Sequence, residues 1–267
     1  MEPIKIAVYG ALGKVGQEVV RAVCNRPDME LVGAVELAVA EDTLNLPDRL
    51  GTVPFSSDLD GIITSCLPDV LVDFTVAKAA MAAVRVAAKR SVNLVIGTTG
   101  FTADEIAEID GLAKTHQIGV VVAPNFALGA VLMMHLAKIV SKHFDCAEII
   151  ELHHQQKKDS PSGTALATAR AMVKARGKLF NLSPAQAQPS ESRGRQVDGV
   201  AIHSVRLSGF MAHQEVLLGG PGQILSIRHD TINRECYMPG VILAIRKVVK
   251  RPGLIFGLEA LLGLREG

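Results

Sequence analysis

Short apolar runs alternate with amphipathic stretches along the first half of the chain. Ile4 to Tyr9 is apolar and rich in β-branched residues, and Gly10 follows it directly. Val15 to Asn25 places Val15, Val19, Val20 and Val23 on one side of a helix. Met29 to Val35 is a second strand ending at Glu36, so the chain opens as a βαβ unit. Asp42 to Leu67 is weakly patterned, and Val70 to Phe74 is again continuously apolar, as a buried parallel strand requires. A helix over Lys78 to Lys89, a strand over Asn93 to Ile96, a helix over Ala103 to His116 and a strand over Ile118 to Ala123 continue the alternation. Strands alternating with helices predict a parallel sheet covered on both faces.

The pattern changes after Pro124. A long apolar helix is expected over Ala127 to Lys142, a strand over Cys146 to His154 and a helix over Thr164 to Lys174. Ala175 to Gly199 is polar and includes Ala-Gln-Ala-Gln with several Arg and Lys. A structureless stretch of that length is either a solvated mobile loop or a lid over a site. Val200 to Leu207, Ala212 to Leu218 and Gln223 to Asp230 are strand-like. Their links, Ser208-Gly209 and Gly219-Gly220-Pro221-Gly222, predict an antiparallel meander. A final helix over Met238 to Val249 and a short tail close the chain.

Composition narrows the class without choosing the function. The 267 residues suffice for two modest domains, and 48% hydrophobic with 21% charged residues is ordinary for a soluble globular protein. A net charge of +1 gives no electrostatic footprint for nucleic acid or an acidic membrane. Zero Trp and two Tyr argue against a base-stacking platform. No apolar run approaches the roughly 20 residues of a membrane helix. Met-Glu-Pro-Ile-Lys-Ile enters a strand without a signal-peptide layout. Cys24, Cys66, Cys146 and Cys236 are scattered, with no C-x-x-C pair, so neither a zinc site nor a disulfide framework is expected. A reduced, cytoplasmic setting is the expectation.

Between the first strand and the first helix stands Gly10-Ala11-Leu12-Gly13-Lys14-Val15-Gly16, a G-x-x-G-x-x-G variant of the dinucleotide fingerprint. Its glycines allow a tight turn and close approach of a pyrophosphate to backbone N–H groups at a helix start. The competing reading is a glycine turn needed for packing. Glu36, 20 residues after Gly16, stands where an acid accepts hydrogen bonds from the adenosine ribose. Gly97-Thr98-Thr99-Gly100 and Ala123-Pro124-Asn125-Phe126 follow later strands and can line the nicotinamide half of such a cofactor. The expected fold class is therefore α/β: a Rossmann-like parallel-sheet nucleotide domain over 1–125 plus 235–267, with an inserted α+β domain over 126–234.

The densest chemistry lies in Glu151 to Ala165. Two adjacent histidines, His153 and His154, are followed by Lys157, Asp159 and a Ser162-Gly163-Thr164 turn before a helical pattern. Imidazoles move protons near neutral pH, the lysine supplies positive charge, and a helix start can hold a carboxylate or phosphate. Proton transfer to a small anionic substrate is the chemistry these residues suggest. No metal is expected, because the His-Glu-x-x-His pattern is missing and adjacent strand histidines do not converge readily on one ion. Left to the residues alone, a reductase, another two-domain dehydrogenase and a catalytically silent dinucleotide sensor all stay open.

H-H-x-x-K-x-D-x-P-S-G-T-A resembles the signature of the 4-hydroxy-tetrahydrodipicolinate reductases, long called dihydrodipicolinate reductases. The similarity extends to the Gly10–Gly16 loop, Asp73-Phe74-Thr75, Gly97–Gly100, Ala123–Phe126, Ser204-Val205-Arg206, His213 and Pro239-Gly240, essentially the whole chain. The resemblance implies reduction of dehydrated 4-hydroxy-tetrahydrodipicolinate with NADH or NADPH, on the diaminopimelate route to lysine. It implies His153 as proton donor and acceptor and Lys157 as a proton donor facing the substrate. It further implies substrate carboxylates on His154 and on the Gly163 and Thr164 backbone, and a homotetramer built by the sheet of the substrate domain. Two departures stand out. Leu37 follows Glu36 where many relatives carry a basic residue, which favours NADH or dual use. Val76-Ala77 replaces the x-Pro often found after Phe-Thr.

Overall fold

The computed structural model describes residues 2–47, 50–181 and 191–264. The chain begins with β1 (Ile4–Tyr9), α1 (Gly16–Cys24), β2 (Met29–Val35), β3 (Thr43–Asn45), β4 (Thr52–Ser56) and α2 (Leu59–Cys66). Next come β5 (Val70–Asp73), α3 (Ala77–Lys89), β6 (Asn93–Ile96), α4 (Ala103–His116) and β7 (Gly119–Val122). There follow α5 (Leu128–Val140), β8 (Cys146–His153), α6 (Gly163–Arg176), β9 (Arg195–Val197), β10 (Val200–Arg206), β11 (Ala212–Gly220) and β12 (Gln223–Thr231). The last elements are α7 (Met238–Val248), β13 (Gly253–Phe256) and α8 (Leu258–Leu261). Two compact units result. The first is Met1–Ala127 with Arg234–Gly263, and the second is built on Leu128–Asn233.

The first unit carries a sheet of order β13-β7-β6-β5-β1-β2-β4-β3, parallel except where β3 meets β4. After β1 the chain moves first to β2 on one side and later to β5 on the other, so the order reverses between β1 and β5. In open α/β sheets such a reversal opens a crevice beyond the strand ends. All residues of β5 and β7 are buried, which accounts for their unbroken apolar runs. Helix α3 buries Ala80, Met81, Ala83, Val84, Ala87 and Ala88, mostly small side chains that let it lie close to the sheet. Helix α4 starts on a reciprocal capping box between Thr102 and Glu105.

The weakly patterned Asp42–Leu67 stretch contains β3, β4 and α2. These elements have three, five and eight residues, too short for hydrophobic periodicity to show. The expected tail also contains more than a tail: β13 pairs in parallel with β7 and extends the sheet.

The second unit is a five-stranded sheet of order β12-β11-β8-β10-β9. The expected meander needs correction. β11 and β12 do form a hairpin, but β8 lies between β11 and β10 and runs parallel to β10. A turn signal fixes a reversal of direction, not adjacency. The link after β10 passes the end of β8, where Leu207 N–H donates to the His153 carbonyl at 3.1 Å. The neighbour of β10 on its other side is β9, joined through Asp198-Gly199, both at positive φ as a tight hairpin turn requires. The long polar segment is therefore structured at its ends: α6 runs on to Arg176, Phe180 is buried, and β9 follows. Residues 182–190, where a lid would lie, fall outside the described residues.

One sheet face packs Ala147, Ile149, Val200, Ile202, Val216 and Leu218 against Met133, Ala137, Ala165, Ala169 and Met172 of α5 and α6. The alternate positions Ile150, Leu152 and Leu217 are half-buried on the opposite face.

Candidate active site

Strand ends gather the residues of the first unit. Gly10, at φ +81°, lies so close to β5 that a Cβ there would come within 2.8 Å of the Phe74 carbonyl oxygen. A Cβ on Gly16 would be 1.9 Å from the Gly10 carbonyl oxygen, so α1 starts directly against the turn. Val15 caps α1 without a side-chain hydrogen bond. Among the described residues, the N–H groups of Lys14, Val15 and Gly16 have no protein acceptor. Open donors at a helix start suit a pyrophosphate.

Glu36, one residue past β2, is tied to this loop. Its Oε2 accepts the Leu12 N–H at 3.2 Å and its Oε1 accepts the Leu37 N–H at 3.1 Å. A carboxylate offers about four acceptor positions, so capacity for a ribose hydroxyl remains. Leu37 is 77% exposed.

Beside the turn, the Asp73 carboxylate is buried and joins the ends of β5 and β6. It accepts the Thr98 hydroxyl at 2.6 Å, the Thr75 N–H at 2.9 Å and the Thr75 hydroxyl at 3.0 Å. Burial raises its pKa, and the bonds from Thr98 and Thr75 oppose that rise. Phe74 and Phe126 stack tilted, with ring centroids 5.8 Å apart. A Cβ on Gly97 would fall 2.0 Å from the Phe74 ring, which explains the glycine. Thr98, Thr99, Pro124 and Phe256 line a small cleft at this edge. Ala123 and Phe126 are buried, while Asn125 accepts the Ala127 N–H at 2.9 Å. The expected cofactor residues Gly10, Ala11, Leu12, Gly13, Lys14, Val15, Glu36, Gly97, Thr98, Thr99, Ala123, Pro124, Asn125 and Phe126 all follow C-terminal strand ends of this sheet. Phe256 escaped the sequence reading because β13 did. The loop, the free amides and the acid together fit a dinucleotide.

In the second unit, His153 ends β8 and His154 lies just beyond it, exposed. His153 Nδ1 is 2.5 Å from Glu151 Oε2, and Glu151 is fully buried. Arg206, at the end of β10, grips both oxygens of Glu151 at 2.8 Å and donates to the Asp159 carbonyl at 2.7 Å. The Ser162 N–H donates to Glu151 Oε1 at 3.1 Å. The loop between β8 and α6 is thus pulled back onto the strand end by the Glu151–Arg206 pair. Burial would raise the Glu151 pKa, but hydrogen bonds from His153, Arg206 and Ser204 outweigh it and hold the carboxyl at about 2.

Helix α6 starts beside this cluster. Ser162 accepts the Ala165 N–H at 3.2 Å, and among the described residues Gly163 and Thr164 N–H have no protein acceptor. Lys157, half-buried in the same loop, pairs with Asp159 at 2.8 Å. His153, Lys157, Gly163 and Thr164 thus share one strand-end neighbourhood. Glu151 and Arg206 had no role in the sequence reading, although Glu151 opens the Glu151–Ala165 stretch and Arg206 ends the Ser204–Arg206 stretch quoted there. His213 belongs to a separate cluster, with its Nδ1 2.6 Å from Asp230.

A parallel sheet with a dinucleotide-type glycine loop, and an imidazole, an ammonium and open helix-start amides on a second unit, are the parts of a nicotinamide-dependent oxidoreductase. Family models described as dihydrodipicolinate reductase match both parts, the N-terminus at residues 4–126 and the C-terminus at residues 129–262. The chain belongs to the dihydrodipicolinate reductase family. It is 56% identical over 264 residues to a 4-hydroxy-tetrahydrodipicolinate reductase of Dehalococcoides mccartyi, covering 99% of this chain and 100% of the relative. The Moorella thermoacetica enzyme of the same name is 47% identical over 262 residues, covering 97% and 98%. Among solved structures, the dipicolinate-bound dihydrodipicolinate reductase from Paenisporosarcina sp. TG-14 is 40% identical with a TM-score of 0.86, over 97% of this chain and 99% of that one.

Proposed function

We propose that this chain reduces the dehydrated form of 4-hydroxy-tetrahydrodipicolinate to tetrahydrodipicolinate with NADH or NADPH, in the diaminopimelate route to lysine. The observation that carries this is the His153–Glu151 pair beside Lys157 and the open α6 amides, in a chain that also holds a preformed dinucleotide loop. The dipicolinate on the Paenisporosarcina relative, a planar dicarboxylate, supports a small dicarboxylate substrate.

When bound, the reduced nicotinamide supplies a hydride to the conjugated imine of the substrate. The displaced electron pair on the substrate must then be protonated. His153 gives that proton, leaving a neutral imidazole, and Lys157 assists as the charged donor facing the substrate. The Gly163 and Thr164 N–H groups hold one carboxylate, and His154 contacts the dianion. Gly10 to Val15 cradle the pyrophosphate, Glu36 takes the adenosine ribose, and the Gly97–Thr99 and Ala123–Phe126 loops line the nicotinamide side.

In this scheme residues 1–125 with 235–267 form the dinucleotide domain, and 126–234 form the substrate and oligomerisation domain. The half-buried apolar positions Ile150, Leu152 and Leu217, on the sheet face opposite α5 and α6, support assembly, which we place at a homotetramer. Among the described residues no helix is long and apolar enough to cross a membrane. A cytoplasmic enzyme without nucleic-acid partners fits the scattered free cysteines and near-neutral charge. The test is oxidation of NADH and NADPH by the purified protein with freshly generated 4-hydroxy-tetrahydrodipicolinate. Turnover is expected with at least one cofactor, and none with either would refute the assignment.

A further inference from the structure

Glu151 is fully buried, yet the reaction above gives it no part. Both of its oxygens are engaged. Oε2 meets His153 Nδ1 and one Arg206 nitrogen, and Oε1 meets the other Arg206 nitrogen and the Ser162 N–H. Residues 151 and 153 share one face of β8 by strand periodicity, so the contact needs no distortion. We propose that Glu151 is the positioning residue of the proton donor: it fixes His153 as the Nδ1–H tautomer, leaves Nε2 to exchange the proton with substrate, and stabilises the imidazolium. The inference rests on His153 being that donor.

The tautomer follows from the partners. An ionised carboxylate can only accept, so the hydrogen in the 2.5 Å contact belongs to Nδ1. Hydrogen bonds from Arg206 and Ser204 help keep the carboxylate ionised, so it does not take the proton itself. In the forward step the Nε2–H bond breaks and its proton goes to the substrate carbon. The imidazole then remains neutral, with its Nδ1–H still on Glu151.

The charged groups around this pair are few. Arg206 faces it from β10, and its charge is spent on both Glu151 oxygens. In the loop, Lys157 and Asp159 neutralise one another. From β11, Gln214 lies opposite Glu151 and donates its amide to Thr168 at 2.9 Å. The Glu151 carboxylate is therefore the charged group in direct contact with the His153 ring.

A purely structural Glu151, one that ties the loop to the strand, would move stability and leave the shape of the kcat–pH profile alone. The pH dependence of kcat separates the two roles. Glu151→Gln should lower kcat at neutral pH by about tenfold or more and move the basic limb of the kcat profile down by about one pH unit or more. Glu151→Asp, which keeps the charge, should return the limb towards its original position. Titration with pyridine-2,6-dicarboxylate should change little in Glu151→Gln. A folded Glu151→Gln enzyme whose basic limb has not moved would overturn the proposal.

Because Glu151→Gln leaves the half-buried Arg206 beside a neutral amide, the variant can fail to fold. Imidazole ¹⁵N NMR of the wild-type protein, with the His153 signal assigned by its loss in His153→Gln, gives an independent answer. The Nδ1–H tautomer is expected, and the Nε2–H tautomer overturns the proposal. Wild-type turnover in His153→Gln would instead refute the donor assignment itself, before Glu151 is considered.

Discussion

The Lys157 ammonium lies 2.8 Å from the Asp159 carboxylate, two residues further along the same loop. The Asp159 side chain is 56% exposed and that of Lys157 is 23% exposed. The hydrogen bond from Lys157 holds the Asp159 carboxyl below its ordinary range. An ion pair with so wet a partner is worth at most about 1 kcal/mol. A charge-assisted bond from the lysine to a substrate carboxylate is worth roughly 1.5–3 kcal/mol. Asp159 therefore parks the lysine without withholding it.

Lys157→Ala is accordingly expected to impair turnover and weaken dicarboxylate binding while cofactor binding survives. Calorimetric titration with NADH and, separately, with pyridine-2,6-dicarboxylate measures both. Equal loss of the two ligands would show that Lys157 holds the fold rather than the substrate.

His153→Gln is expected to lower kcat by about 10²-fold or more, the usual cost of losing a general acid. His153 combines a carboxylate partner, Glu151, with a place at the strand end beside the Lys157 loop. Steady-state kinetics on a variant shown to be folded by circular dichroism decides it, and unchanged turnover would remove the assignment.

What the sequence could reveal depended on how far apart the partners lie along the chain. The glycine loop and the alternating strands were legible because turn chemistry and periodicity are local. β3 and β4 were not, because Thr43–Asn45 and Thr52–Ser56 lack the continuous apolar run of the four-residue β5 and β7, and β13 was absorbed into the expected tail. The place of β8 between β10 and β11 was hidden because tertiary pairing, not turn type, decides adjacency. The same limit hid the site's anchor. Glu151 and Arg206 stand 55 residues apart, and two parallel strands must pair before they meet. His153 and Lys157, by contrast, advertise themselves within one short loop.

Stability should follow the Glu151 titration at low pH. Its carboxyl, at about 2 in the fold against an ordinary 4.5, stabilises the protein fully above the unfolded value and loses that contribution as pH falls through about 2. The gap corresponds to about 3 kcal/mol, an order-of-magnitude figure. Asp73 runs the other way, since burial raises its pKa and disfavours its ionised form in the fold. Comparing wild type with Glu151→Gln cancels the Asp73 contribution. The Tm gap between the two should be wide at pH values above about 5 and narrow steadily below. A gap independent of pH would mean that Glu151 contributes through packing alone.

Cofactor preference turns on the neighbours of Glu36. Its carboxylate already organises the glycine loop through the Leu12 N–H and can still accept a ribose 2′-hydroxyl, whereas a 2′-phosphate is repelled. Leu37 offers that phosphate no charge-assisted bond. Lys14, exposed in the loop, supplies some compensating positive charge. NADH is therefore expected to be preferred, or both cofactors accepted, in the unmodified enzyme. Because the Leu37 side chain is 77% exposed, an arginine fits there without displacing core atoms. Leu37→Arg should shift the kcat/KM ratio towards NADPH, with one new Arg–phosphate contact worth roughly 1.5–3 kcal/mol, or about 10- to 150-fold at most. Parallel kcat/KM measurements with the two cofactors, on both proteins, give the ratio directly. Strong NADPH selectivity in the unmodified enzyme would place the phosphate on residues other than these and remove Glu36 as the discriminating group.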